Sequence, residues 1–176
     1  MRYVAFLRAV NVGGRVVKMH QLKALCQSIP LDDVSTFIAS GNVIFDSTQA
    51  PAQLETLIER KLKAALGYDV TTMVRAASDL EAIVKTVTVL DLEEGGSARL
   101  YVGFLKLAPT AETVKAVRAL SNDIDVLSVK GSELYWTCRA TLTESTVGGA
   151  RLEKLLLGKA TFRNFNTVRR LAERLR

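Results

Sequence analysis

A chain of 176 residues that is 48% hydrophobic and 24% charged has the balance of a folded core and the length of one ordinary domain or two small ones. It holds no run of about 18 apolar residues, which excludes a transmembrane helix. The apolar stretch at its start is broken by Arg8 and followed by Asn-Val-Gly-Gly-Arg instead of a cleavage site, so a cytoplasmic location is expected. The formal net charge of +6 sits in residues 151–176, where Arg151, Lys154, Lys159, Arg163, Arg169, Arg170, Arg174 and Arg176 stand against Glu153 and Glu173; the rest of the chain is neutral overall.

Residues 2–10, rich in Val, Phe, Leu and Tyr, predict a strand. Met19, Leu22, Leu25, Cys26 and Ile29 then recur at helical spacing, and Pro30 closes that helix. A second strand is expected at 34–39 and a third at 43–46. Between them Ser40-Gly41-Asn42 reads as a tight hairpin turn, since Gly and Asn tolerate positive φ. Pro51 opens a long helix at a favoured first-turn position, with Leu54, Leu57, Ile58, Leu62, Ala65 and Leu66 as its buried stripe and Gly67 as its C-cap. A fourth strand at 70–74 and an extra helix at 78–87, capped by Ser78 or Asp79, complete the first half.

From residue 100 the same order returns. A strand at 100–107 leads to a helix capped by Thr110. Strands at 125–129 and 133–138 are joined at Lys130-Gly131-Ser132, in parallel with Ser40-Gly41-Asn42. A helix at 151–157 with Gly158 as its cap, a short strand at 160–163 and a last helix at 166–175, capped by Asn166, follow. The return is also written in the residues: Tyr-Val-Ala-Phe-Leu-Arg-Ala-Val at 3–10 is echoed by Tyr-Val-Gly-Phe-Leu-Lys-Leu-Ala at 101–108. The expected fold is α+β: two ferredoxin-like βαββαβ subdomains, each followed by an extra helix and related by internal duplication. The first spans 1–90 and the second 98–176, with 91–97 as linker. The central strands are apolar on both faces, so the open face of each sheet is expected to be covered by the extra helix, by the other half or by a second subunit.

With strand order 4-1-3-2, the exit of the first strand, the second hairpin and the start of the first helix fall at one sheet edge. Asn11, Gly13, Gly14, Lys18, Ser40, Gly41 and Asn42 then meet, with Arg8 facing the same edge. Free backbone N–H groups, two Asn side chains, a Ser hydroxyl and cations at a helix start suit a phosphate or carboxylate. The spacing fits neither a phosphate-binding Walker loop nor a dinucleotide fingerprint. Asp46 is the nearest carboxylate on these strands. The second copy replaces the Gly-Gly loop with Pro109-Thr110, a plain helix start, and places Lys106 where the first has Arg8. Cys26 reads as a small core residue, Cys138 as the apolar end of a strand, and Trp136 with Tyr135 as core. A single histidine, His20, and no Cys/His grouping give no metal site and no Ser-His or Cys-His pairing.

Leu7-Arg8-Ala9-Val10-Asn11-Val12-Gly13-Gly14, Thr36-Phe37-Ile38-Ala39-Ser40-Gly41-Asn42-Val43-Ile44-Phe45 and Arg163-Asn164-Phe165-Asn166-Thr167-Val168 together resemble the signatures of the domain-of-unknown-function family numbered 1697, a family of mainly bacterial proteins. Ala9 stands where that family usually has glycine, Lys18 where it has proline, and Phe165 where tryptophan is common. The resemblance implies two α+β subdomains and no particular reaction.

Three functions follow as expectations. The leading one is a protein that binds a small anionic ligand at the Asn11–Gly14 and Ser40–Asn42 edge. The second is a nucleic-acid module working through the basic C-terminal helix, with Arg163, Arg169, Arg170 and Arg174 as contacts. The third is a structural or regulatory homodimer without catalysis. No cofactor, metal or membrane partner is expected, and whether the protein is an enzyme is open.

Overall fold

The structure, a computed structural model, describes residues 1–8, 10, 11, 14, 16–89, 99–141, 143–147, 149–157 and 160–176. The expected linker at 91–97, the C-cap expected at Gly158 and the site residue Gly13 lie outside the described residues.

The elements run β1 (Arg2–Leu7), α1 (Met19–Gln27), β2 (Asp32–Thr36), β3 (Asn42–Asp46), α2 (Pro51–Leu66), β4 (Thr72–Ala76), α3 (Ala77–Val89), β5 (Arg99–Leu105), α4 (Ala111–Arg118), β6 (Asp125–Lys130), β7 (Glu133–Cys138), α5 (Gly149–Leu155), β8 (Ala160–Asn164) and α6 (Phe165–Leu175). They form two four-stranded antiparallel sheets with strand orders β2-β3-β1-β4 and β6-β7-β5-β8. The chain divides into two compact units, Met1–Ala82 with Leu171–Arg176, and Ile83–Arg170, so the boundaries fall inside α3 and α6.

In the first unit, β1 lies between β3 and β4, with Tyr3 opposite Phe45 and Val4 opposite both Ile44 and Arg75. Because side chains alternate along a strand, Tyr3, Ala5 and Leu7 join Leu22 and Cys26 of α1 and Leu54, Ile58 and Leu62 of α2 in one apolar core. Val4, Phe6, Ile44 and Met73, on the other face, are also fully buried. Both faces are thus covered within one chain. Pro51 opens α2 and Gly67, at φ 77°, closes it by donating its N–H to Lys63 O at 2.9 Å.

β4 is an edge strand, and its outward N–H groups are all taken by carboxylates. Thr72 N donates to Glu59 Oε1 at 2.8 Å, Val74 N to Glu55 Oε1 at 2.9 Å, and Ala76 N to Asp79 Oδ2 at 2.8 Å. Two helical acids four residues apart meet two strand amides two residues apart, which follows from the two rises per residue.

The second unit repeats the layout, with Val117 of α4 and Leu152 and Leu156 near α5 packed on Leu105, Leu127, Leu134 and Trp136. Gly103 is fixed by space: a Cβ there would lie 2.6 Å from Phe162 Cε1 on the neighbouring strand. The ring so accommodated meets Trp136 edge-on at 6.2 Å, and Trp136 contacts Tyr101 at 5.2 Å.

Several sequence expectations are corrected. β1 stops at Leu7 and β5 at Leu105, because the chain bends away beyond them. β2 ends at Thr36, not 39, and the link to β3 is wider than a tight turn: Phe37 N donates to Asn42 O at 3.0 Å, and Ile38 and Gly41 both take positive φ, 52° and 73°. By register Asn42 pairs with Phe6 as Glu133 pairs with Phe104, so Gly131 holds the place of Ser40 and not of Gly41. The last helix begins at Phe165, and its cap is Asn164, whose Oδ1 accepts Asn166 N at 2.9 Å.

Candidate functional site

The segment after β1 and the hairpin before β3 come together at one end of the first sheet. Leu7 N donates to Gly41 O at 2.9 Å, and Arg8 N donates to Thr71 O at 2.9 Å. Asn11 joins the two segments: its Nδ2 donates to Ala39 O at 3.0 Å while its Oδ1 accepts Val17 N at 2.7 Å. Val17 is buried and Lys18, the N-cap of α1, is extended (φ −65°, ψ 140°) and exposed. Lys18 N is taken by Gln21 Oε1 at 3.3 Å, and Lys18 O accepts Leu22 N at 3.0 Å to start the helix.

Of the expected site residues, Arg8, Asn11, Lys18, Ser40, Gly41 and Asn42 lie on or beside these bonded segments, and the structure divides the set by role. Gly41 is a packing residue: φ is 73°, and a Cβ there would stand 3.3 Å from Leu7 Cβ and 3.4 Å from Leu7 O. Asn42 is fully buried, its Nδ2 donating to Phe37 O at 3.0 Å and to Ser40 Oγ at 2.8 Å. Asn11 and Asn42 are thus positioning residues, with their amides engaged by the protein. Gly14 (φ 81°, open space where a Cβ would be), Lys18 and Ser40 are exposed, and Arg8 is half-buried. Asp46 is not part of this edge. It lies four residues along β3 from Asn42, about 13 Å at ~3.4 Å per residue, and faces Arg2 Nη1 at 3.6 Å.

The lack of acids on these segments was not read from the sequence, though it is visible there. Residues 8–18 contain no Asp or Glu, and residues 34–45 contain no acid either. Two apolar side chains on these segments are exposed, Val16 at 80% and Ile38 at 44% of full exposure.

The second expected set is more dispersed. Arg163 is 8% exposed, with Nη1 donating to Thr161 Oγ1 and to Phe162 O, both at 2.8 Å, and burial lowers its pKa to about 10. It is a buried cation, held by groups on its own strand. Arg169, Arg170 and Arg174 are exposed on α6. Arg169 Nη2 donates to Asn166 Oδ1 at 2.8 Å, and the Arg174 guanidinium sits 5.7 Å from the centre of the Phe37 ring.

One buried carboxylate escaped the sequence reading. Asp125 is fully buried, and it accepts Trp136 Nε1 at 2.8 Å, Ser145 Oγ at 2.9 and 3.0 Å, and Thr146 N at 3.2 Å. With every donor supplied by its own unit, it holds the 145–147 segment onto β6. Among the described residues no group of three His, Cys, Asp or Glu could hold a metal ion, and no helix is long and apolar enough to cross a membrane.

Comparison with known proteins gives two findings. The family model described as "Protein of unknown function (DUF1697)" matches residues 1–135. Among solved structures, that of the conserved bacterial protein SP0830 from Streptococcus pneumoniae is similar at 20% identity, covering 99% of this chain and 97% of that one with a TM-score of 0.81. That likeness is one of fold. Comparison with curated proteins finds no match.

Proposed function

We propose, for a chain that belongs to the DUF1697 family of proteins of unknown function, that the edge built from Arg8 to Lys18 and Ile38 to Asn42 binds a small anion bearing a phosphate or carboxylate. The observation that carries this reading is the Asn11 clamp, which joins two segments that carry Arg8 and Lys18 and no carboxylate. Left-handed Gly14, with open space beside it, lets a ligand approach the backbone closely. The exposed Lys18 ammonium at the start of α1 adds a charge where the helix already favours anions. In this reading Asn11 and Asn42 hold the loops and do not touch the ligand. No general base lies on these segments, so the reading is of binding and leaves catalysis unassigned.

Two-dimensional NMR of the full chain titrated with inorganic phosphate at constant ionic strength tests this. Shifts confined to residues 8–18 and 38–42, weakened several-fold by Lys18→Ala and by added salt, are the expected result. No shifts at millimolar phosphate, or shifts that ignore Lys18→Ala, would overturn it.

A second reading, a polyanion surface on α6, is supported by the exposure of Arg169, Arg170 and Arg174. Burial of Arg163 and the seat of Arg174 on Phe37 reduce the cations at its disposal. A third reading, a homodimer through an apolar sheet face, is less favoured than these because Val4, Phe6, Ile44 and Met73 are already buried.

For the scaffold, we propose two ferredoxin-like subdomains, 1–90 and 98–176, derived by duplication. The matching strand orders support it. So do Arg75 and Arg163, each opposite a buried valine of the central strand and each donating Nη1 to the carbonyl of the preceding residue, at 3.0 and 2.8 Å. Two free, buried cysteines suit a reducing, cytoplasmic setting.

A further inference from the structure

We infer that the ligand of the Asn11 edge is an amphipathic anion, a small acid whose carboxylate or phosphate lies toward Lys18 and whose apolar body rests on Val16 and Ile38. The inference rests on the anion-binding reading above and adds the class of ligand.

Val16 and Lys18 flank Val17, which is buried and held by Asn11 Oδ1 at 2.7 Å. Val16, 80% exposed, and the exposed Lys18 thus stand on either side of a residue turned into the core. Ile38 is the corresponding residue on the other segment, one position before Ala39, whose carbonyl accepts Asn11 Nδ2 at 3.0 Å. One side-chain amide thus holds the two apolar side chains on adjoining strands of chain.

Ile38 is the stronger of the two observations. Its φ is 52°, in the left-handed region, where a β-branched side chain is an outlier and glycine or asparagine is at ease. A strained isoleucine is expected where its side chain fills a core, yet this one is 44% exposed. Neither backbone geometry nor internal packing calls for it, and strain of this kind gathers at ligand sites. Single exposed apolar residues need no explanation. Two on clamped segments that also carry Arg8 and Lys18 and no carboxylate give those segments a mixed character. Inorganic phosphate would use the cations and leave Val16 and Ile38 in water; a neutral hydrocarbon would do the reverse. An acid with an apolar body complements both.

The test compares acetate, octanoate and inorganic phosphate on the full chain by calorimetry and NMR. Octanoate binding at least tenfold more tightly than acetate, with shifts at Gly14, Lys18 and Ser40, is expected. The double variant Val16→Ser with Ile38→Asn should bring octanoate down to the level of acetate and leave acetate and phosphate unchanged. Asparagine suits the left-handed backbone, so Ile38→Asn alone serves if the double variant folds poorly. Equal affinity for octanoate and acetate at the edge ends this inference and leaves anion binding standing. Octanoate seated instead in the apolar groove of about 180 Å³ lined by Leu105, Leu107, Pro109, Thr110 and Leu157, or bound tightly by the double variant, also ends it. No binding of any of the three at the edge ends both readings.

Discussion

Cys26 illustrates what a single residue's surroundings decide. It is 1% exposed in the core of the first unit, and burial pushes its thiol up to about 12 from an ordinary value near 9. The thiolate is the reactive form, so Cys26 should resist a thiol reagent at pH 8 in the native state and react once the chain is unfolded, as mass spectrometry would show. The unfolded chain releases this proton first as pH rises. The thiol's contribution to stability is therefore complete below about pH 9 and lost between about 9 and 12; Tyr135, also raised to about 12, acts in the same sense from about 10. Urea unfolding at pH 8 and pH 10 should show the loss, with a smaller slope in Cys26→Ala. Cys26 was readable from helical spacing, as were Gly67 and Thr110 from local cap chemistry. Asn11 and Asn42 were picked out as residues of one edge but not for their role, because a free amide and an engaged one look the same in a string of letters. The burial of Arg163 could not be read, since nothing local tells that its strand is covered.

At the scale of elements, β4 shows how an edge strand is kept from pairing with a stranger. Three carboxylates, Glu59, Glu55 and Asp79, occupy alternate N–H groups along it. Glu55 is 7% exposed, so removing its acceptor leaves Val74 N–H buried and unsatisfied. Glu55→Leu should lower stability by about 1–3 kcal/mol in denaturant titrations, whereas Glu55→Gln, which keeps an acceptor oxygen, should lose less. Equal losses would mean that the bond to Val74 is not what matters. The strands and helices themselves were legible because their apolar periods are strong. This edge device was not: Glu55 and Glu59 are acids on a helix, and only the β2-β3-β1-β4 order shows that the helix lies along an open strand edge. The hairpin between β2 and β3 was misjudged for a related reason. Phe37, Ile38 and Ala39 are good strand formers, but Asn42 closes the connection at Phe37 through backbone and side chain alike, and a left-handed isoleucine runs against every local preference.

For the whole molecule, the telling feature is that the compact unit made by Met1–Ala82 also takes Leu171–Arg176. Nothing local marks this association, since an amphipathic helix reads the same whichever surface it lies on. Leu171 and Leu175 are buried, and Arg174 caps the Phe37 ring. At roughly 1.5–3 kcal/mol per buried leucine, deleting residues 171–176 should remove about 3–6 kcal/mol as an upper estimate. Hydrogen exchange should quicken along β2 near Phe37. An unchanged melting temperature would contradict this. The same arrangement bears on how the protein is made. The 88 residues of Ile83–Arg170 must be translated between the two parts of the first unit, a wait of about 4–18 s at ~5–20 residues per second. The nascent N-terminal sheet therefore spends that interval on the ribosome without its closing segment, and the first unit to be synthesised is the last to be completed.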